Sequence, residues 1–399
     1  MKLLDGITIL DLTHMLSGPY GTMLLTDLGA RTIKVEPTGR GENTRALLAH
    51  SPEYSRQGMG AYFLTLNRGK ESVCIDLKSP EGLAVFHELV KQADVVFDNF
   101  SAGVTRRLGI DHETLSSLNP RIITCSVTGF GETGPAQDRP AFDQVVQGMG
   151  GGMSITGFKD GPPVRAGIPI GDLGGGLFGV IGVLGALIER SRTGKGRHLD
   201  ISMLDAQISL LNYMATMHLM SGIVPGRLGN GHFVHVPYNT FETTDGYIII
   251  ACIGDAFFQR LLEIMPLPEL QKPEYREQPG RYADQAAIDR ALQARIGTQS
   301  TKYWLEKLSA ARIPCAPVND FGQALSDPQV LARNMVADVR LQSGETVRMP
   351  GNPVQSPGEA PPAFTPPPLL GEHTRAVLSD LLGYAAPAID ALVRKGVVQ

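Results

Sequence analysis

Cysteine is scarce in this chain: Cys74, Cys125, Cys252 and Cys315 are four in 399 residues, far apart and without Cys-x-x-Cys spacing. That usage points away from a disulfide framework and offers no zinc-ligand cluster. An excess of one charge is lacking too. Lys and Arg number 36 against 40 Asp and Glu, a net charge of −4, which gives no basic face for a nucleic-acid backbone or an anionic membrane. There is no Gly-x-Ser-x-Gly elbow and no Walker sequence, so a serine hydrolase or a P-loop nucleotidase has no support. The opening Met1-Lys2-Leu3-Leu4-Asp5-Gly6 has no long apolar region of the signal-peptide kind. The most apolar stretch, Leu173 to Ile188, is short of a bilayer span and dense in glycine, which predicts a buried helix. These absences lead us to expect a cytoplasmic protein.

What is present is an ordinary globular composition, 42% hydrophobic and 19% charged, with abundant glycine (46) and proline (28) spread along the chain. At roughly 150 residues per domain, a chain of this length implies two or three domains with substantial cores. Short runs rich in β-branched residues, Ile7–Leu12, Thr32–Val35, Ser72–Ile75, Asp94–Phe97 and Arg121–Val127, alternate with helical stretches. Ser79-Pro80-Glu81 places a capping serine and a first-turn proline at the start of one of those helices. The alternation predicts an α/β fold with a doubly wound, mostly parallel sheet over residues 1–222.

After about residue 222 the pattern changes. Tyr238–Glu242 and Tyr247–Cys252 flank Thr243-Thr244-Asp245-Gly246, a strong hairpin signal, and helical patterns continue to about 312. We read 223–325 as a small α+β domain. From Pro350 to Pro368 the chain is proline-dense, with Pro361 and Pro362 among its prolines, which predicts an extended strap; Thr374–Leu382 then returns as a helix, giving a third segment, 326–399. The methionine-bearing segment Ser202–Leu219 reads as a buried core helix. No internal repeat occurs.

The densest local signal is Gly171-Asp172-Leu173-Gly174-Gly175-Gly176, a carboxylate at the mouth of a glycine-rich helix whose Gly176, Gly179, Gly182 and Gly185 recur every third residue. Such spacing lets another backbone approach closely. A helix N-terminus favours the ionised acid, and bare backbone around it leaves room for an acyl carbonyl to reach a nucleophile. A plain helix cap remains the alternative for Asp172. Gly174-x-Gly176-x-x-Gly179 also matches a dinucleotide fingerprint, but not on the first strand–helix turn, which reads His14-Met15-Leu16-Ser17-Gly18-Pro19; nicotinamide or flavin binding is therefore disfavoured. His232-x-x-His235 lies in a glycine-bounded loop with no third ligand nearby in sequence, so no metal is assigned. Three cationic clusters follow successive strands and are candidates for phosphate: Arg40 with Arg45, Arg68 with Lys70, and Arg106-Arg107. Ligands of open α/β sheets bind at the carboxyl ends of the strands.

Taken together, these segments resemble the class III CoA-transferases, which include the formyl-CoA and carnitine CoA-transferases and the α-methylacyl-CoA racemases. The resemblance spans the chain: Leu4-Asp5-Gly6-Ile7, Asp11-Leu12-Thr13, Gly18-Pro19, Asp27-Leu28-Gly29-Ala30, Asn67-Arg68-Gly69-Lys70, Asp98-Asn99-Phe100, Thr128-Gly129-Phe130-Gly131, Gly171-Asp172, Pro237-Tyr238 and Leu369-Leu370-Gly371-Glu372. It implies an interlocked homodimer, each chain with a large Rossmann-like CoA-binding domain, a small domain and a C-terminal strap returning to the large one. It implies Asp172 as the nucleophile, forming a covalent aspartyl intermediate, with CoA as part of the substrate and no metal or redox cofactor. Met15, Leu16 and Ser17 fall on the turn beside the thioester, and Asn99, Phe100 and Arg107 on contacts to the nucleotide or pantetheine. The family's arginine after the second strand is replaced by Pro37, which passes its phosphate role to Arg40 or Arg45.

Within that family, proton abstraction by a racemase needs a histidine where Phe142 precedes Asp143, and phenylalanine cannot relay a proton. The loop Gly229-Asn230-Gly231-His232 departs from the glycine-rich loop of formyl-CoA transferase, which argues against oxalate and formate. It resembles more closely the branch that handles succinyl-CoA and related dicarboxyl thioesters. Gly231, His232, His235 and Arg165 are candidates for gripping substrate. The competing readings are a racemase and a non-catalytic CoA-binding paralogue.

Overall fold

The apolar runs of the first two hundred residues form one parallel sheet. The structure, a computed structural model, describes residues 2–359 and 363–399, so Pro361 and Pro362 of the proline-dense stretch lie outside the described residues. The strands are β1 (Thr8–Asp11), β2 (Arg31–Glu36), β3 (Glu71–Cys74), β4 (Val95–Asp98), β5 (Ile123–Thr128) and β6 (His198–Ser202), in the spatial order β3-β2-β1-β4-β5-β6 with every pairing parallel. This is the strand order of doubly wound nucleotide-binding sheets, with the order reversing between β1 and β4.

The main helices of this part of the chain are α1 (Ser17–Asp27), α2 (Ala61–Asn67), α3 (Pro80–Gln92), α4 (Val104–Leu108), α5 (His112–Leu118), α6 (Asp143–Met149), α7 (Ile170–Thr193) and α8 (Met203–Ser221). Successive strand residues feed opposite faces. Leu10, Ile33, Val73 and Val96 join Val85, Phe86 and Leu89 of α3 in one core. Ile9, Val95, Phe97 and Val127 join Met23 and Leu25 of α1 and Val180 and Val183 of α7 in the other. Each fully buried aliphatic or aromatic side chain contributes about 1.5–3 kcal/mol. Ser79 caps α3 by accepting the Gly82 N–H at 3.0 Å, with Pro80 in the first turn, as its sequence predicts.

Two helices differ from their expectation. On α8 only Met203, Ala206 and Gln207 are buried, its backbone breaks at Asn212 (φ 50°, ψ −127°), and Ile208, Tyr213, Met217 and Met220 are exposed. It is not a core helix within the described chain. Helix α7 buries the side carrying Gly175, Gly176, Gly179 and Val183 but exposes Leu177, Ile181 and Ile188. It is also the one described helix long and apolar enough to cross a membrane by composition, yet its buried side packs in the second core.

Contacts divide the chain into two units: residues 1–152, 165–222 and 328–399 form one, and residues 153–164 and 223–327 the other. The second unit has the antiparallel sheet β9-β8-β7, made of β7 (Tyr238–Glu242), β8 (Tyr247–Ala251) and β9 (Cys315–Pro317). The β7–β8 hairpin pairs Tyr247 with Glu242 across the Asp245-Gly246 turn, as read from the sequence. Helices α9 (Asp255–Ile264), α10 (Gln285–Ile296) and α11 (Thr301–Ala310) cover it, burying Phe258, Leu261, Ile288, Leu292 and Trp304.

The C-terminal segment belongs to the first unit. After a short helix, Pro328–Ala332, it forms the hairpin β10 (Val336–Arg340) and β11 (Thr346–Pro350) and, further on, the helices α12 (Thr374–Asp380) and α13 (Ala386–Arg394). The Gly371 N–H donates to Ser72 Oγ at 2.9 Å and Thr374 Oγ1 accepts the Cys74 N–H at 3.1 Å, fastening the segment along β3. Val377, Leu378 and Ile389 then close the first core.

Candidate active site

The reversal of strand order puts the loops after β1 and β4 side by side, and a cleft of about 270 Å³ opens there. His14 to Ser17 line it from the β1 side, Asn99 and Phe100 from the β4 side, and Thr128 and Gly129 from the end of β5; Asp172 also lines it. Met15, Leu16, Ser17, Asn99, Phe100 and Asp172, far apart in sequence, are thus brought to one cavity.

Glycine makes this convergence possible. A Cβ at Gly176 would lie 2.5 Å from the Ser17 carbonyl oxygen, and one at Gly21 would lie 3.0 Å from the Gly176 carbonyl oxygen, so α1 and α7 touch backbone to backbone. The fingerprint-like glycines Gly174, Gly176 and Gly179 lie inside α7, not on a strand–helix turn. The loop after β1 rests on a buried ionic network. Asp11 Oδ2 accepts from Lys70 Nζ at 2.8 Å and from Thr22 Oγ1 at 2.9 Å, while Lys34 Nζ donates to the Thr13 carbonyl at 2.8 Å. Burial pushes the Asp11 carboxyl up, but Lys34 and Lys70 outweigh it and hold it well below the usual range.

Two buried cations differ from expectation. Lys70, 3% exposed, is saturated by Asp11, Thr22, Asn67 and the Pro19 carbonyl. Arg45 grips Glu36 with two bonds of 2.7 Å and also donates to the Pro368 carbonyl. Both cations are structural, because a buried charge needs a paired partner and these have theirs. Arg40 is exposed outside the cleft lining. Arg107, on α4, lines a second, polar cleft that shares Ala102 and Gln137 with the first. Arg165 is exposed and donates to the carbonyls of Ala166 and Gly167 at 3.0 Å each. In the second unit, His232 Nδ1 accepts the N–H groups of Val234 and His235, the two rings stack at 4.7 Å, and Gly231 donates its N–H to the Leu228 carbonyl. Among the described residues no group of three metal-ligating side chains forms.

Asp172 lies in the first turn of α7, half-buried. Burial, and then the negative charge of Asp143, raise its carboxyl to about 6. Above that pH it is ionised and more basic than an ordinary aspartate, which suits a nucleophile. Several cleft residues escaped the sequence reading. Tyr62 lines the cavity, its hydroxyl pushed up to about 12 by burial and by the charges of Asp172, Glu42 and Asp143. Burial and the Lys34 charge push the His14 imidazole down to about 4, leaving it neutral. Arg139 lines the wall with its guanidinium 5.2 Å from the Phe130 ring. The one available signal for Tyr62 was its place shortly before Asn67-Arg68-Gly69-Lys70; nothing in sequence pointed to Arg139.

Known proteins match this chain along nearly all its length. The model of CoA-transferase family III matches residues 4–374. The acetyl-CoA:oxalate CoA-transferase of Acetobacter aceti is 42% identical over 96% of this chain and 96% of its own. The succinyl-CoA:glutarate CoA-transferase of Mus musculus is 36% identical over 100% of this chain and 91% of its own. A crystal structure of a CAIB/BAIF family protein from Brucella suis superposes with a TM-score of 0.84 at 36% identity, over 95% of this chain and 99% of that one. With a parallel sheet whose cleft holds an aspartate at a glycine-rich helix start, and relatives of this kind along the whole chain, the protein belongs to CoA-transferase family III and is a transferase of coenzyme A.

Proposed function

We propose that this transferase moves CoA from a dicarboxyl thioester of the succinyl-CoA kind to a second carboxylic acid, with Asp172 as the nucleophile. The observation that carries this reading is a carboxylate raised to about 6, lining a cleft at the switch point of the sheet. The Asp172 carboxylate attacks the thioester carbonyl; the C–S bond breaks and CoA leaves as thiolate, giving a mixed anhydride. The thiolate then attacks the aspartyl carbonyl and releases the donor acid, leaving an aspartyl-CoA thioester. The acceptor carboxylate attacks that thioester, expelling thiolate. Thiolate finally attacks the new acyl carbonyl, forming the product and regenerating the Asp172 carboxylate. Every step exchanges one acyl oxygen or sulfur for another, so the scheme draws on no metal or redox group.

Oxalate and glutarate, the acids in the names of two relatives, are both dicarboxylates. The first of them weakens the argument against oxalate drawn from Gly229-Asn230-Gly231-His232. Arg139, exposed on the cleft wall and outside every ion pair of the described residues, can meet a distal carboxylate. Met15, Leu16, Ser17 and Phe100 are the cleft residues we assign to the thioester and pantetheine, with Arg107 and Arg40 toward the phosphates. The exposed apolar side chains of α7 and α8 support an interlocked homodimer. A cytoplasmic location fits CoA thioesters as substrates. Racemisation is the weaker reading: Phe142 lines the cleft where a base would be required, and a neutral His14 with so low a pKa is a poor base for a carbon acid.

The test is CoA exchange from succinyl-CoA to a panel of mono- and dicarboxylates, followed by product mass. Transfer to at least one dicarboxylate, with weaker transfer to monocarboxylates of equal length, supports the reading. Exchange confined to monocarboxylates overturns the substrate class, and CoA binding without any exchange favours the non-catalytic paralogue.

A further inference from the structure

A helix leaves its first N–H groups without intrahelical partners. In α7 the residue at the cap position is Pro169, which has no side chain to close them. Asp143 closes them from α6: its Oδ1 accepts the N–H of Gly171 at 2.8 Å and of Asp172 at 3.3 Å. Its Oδ2 accepts from Gln147 Nε2 at 2.7 Å, and the buried Gln147 in turn accepts the Ala166 N–H through Oε1 at 2.9 Å. From α8, Gln207 Nε2 donates to the Ile170 carbonyl at 3.2 Å. Three side chains on two helices therefore pin the segment 166–172. The approach is close: a Cβ at Gly171 would lie 2.6 Å from Val146 Cγ2 and 3.0 Å from Asp143 Oδ1.

We propose that Asp143 is the positioning residue of Asp172, holding the turn that carries it and setting a like charge beside it. This rests on the reading of Asp172 as nucleophile. The other titratable or charged groups on the same cleft are Tyr62 of α2, His14 in the loop after β1 and Arg139 in the loop after β5. None of them bonds to the 166–172 segment. Tyr62 and His14 are both neutral at pH 7, with the tyrosine raised to about 12 and the histidine lowered to about 4. Asp143 is thus the one group among the described residues that is bonded to the turn and raises the Asp172 carboxyl by charge. A fixed acceptor at a helix start orders the first turn, and a like charge nearby raises the basicity of a carboxylate. One side chain supplies both effects.

The test is the pH profile of Asp172 acylation by succinyl-CoA in single turnover, read as intact-mass adduct, for the full-length protein and its Asp143→Asn and Asp143→Ala variants. Asparagine keeps an acceptor for the Gly171 N–H and removes the charge. Its acid limb is expected to move to lower pH, because Asp172 ionises more easily, while the plateau falls about tenfold as the nucleophile weakens. Alanine removes both effects, and its plateau is expected to fall about a hundredfold with the same movement of the limb. If the alanine variant does not fold, the asparagine variant carries the test. A limb that stays in place in the variants, with or without loss of rate, overturns the proposal, since a merely structural cap would not move it. Absence of any Asp172 adduct in the unsubstituted protein is a different failure: that of the nucleophile assignment itself.

Discussion

Asn99 bonds with its amide to both polar groups of one residue across the switch point: Nδ2 donates to the His14 carbonyl at 2.7 Å and Oδ1 accepts the His14 N–H at 2.8 Å. The next residue, Met15, holds a left-handed backbone at φ 63°, a conformation that costs a non-glycine residue about 1–2 kcal/mol. Asn99 thus locks the β4 loop to a strained β1 loop, and the side chain we expected on CoA is occupied by the protein's own backbone. Asn99→Ala removes two hydrogen bonds of about 1 kcal/mol each. We expect kcat/KM for acyl-CoA to fall roughly tenfold, with a smaller effect on thermal stability than a core deletion. Steady-state kinetics beside a melting curve checks this; unchanged kinetics would mean the lock is dispensable.

Lys70 and Asp11 give the opposite phenotype. Their 2.8 Å bond is fully buried, so Lys70→Ala leaves a carboxylate with a weaker partner, Lys34 at 3.8 Å. The expected loss is about 3 kcal/mol of unfolding free energy, with CoA affinity of the folded fraction unchanged. Urea unfolding and calorimetric CoA titration separate the two; lost affinity at full stability would return Lys70 to the ligand.

The glycine where α7 crosses α1 holds the frame of the site. Gly176→Ala drives a methyl to 2.5 Å from the Ser17 carbonyl oxygen and is expected to cost about 1–3 kcal/mol. Denaturation curves beside the unsubstituted protein decide it, and unchanged stability would refute the close contact of α1 and α7.

Much of this arrangement is legible in the residues. Five of the six parallel strands stand out as short runs with β-branched and apolar residues, although β1 to β3 also bury Asp11, Lys34, Glu36 and Ser72. The sixth, His198–Ser202, is an edge strand with one buried residue, and its His198 and Asp200 gave no such run. Hairpin β7–β8 was announced by Asp245-Gly246, whereas the alternation in Val336–Arg340 was passed over. Asp172 stood out because helix starts and bare glycine are local features. Arg45 and Lys70 did not reveal their roles, since their partners Glu36 and Asp11 lie 9 and 59 residues away and only the sheet brings them together. The methionines of α8 looked like core for a related reason: apolar composition does not say whether the cover comes from the same chain.

The central claim is that Asp172 forms a covalent bond to the acyl group or to CoA. Intact mass after incubation with succinyl-CoA, with and without hydroxylamine, beside an Asp172→Asn control, tests it most directly. The account predicts an adduct, or a hydroxamate, mapping to Asp172 and missing from the control, with turnover of the control down about a thousandfold or more. No adduct with any acyl-CoA of a small panel, from a protein that binds CoA and has intact turnover in the asparagine variant, would contradict it.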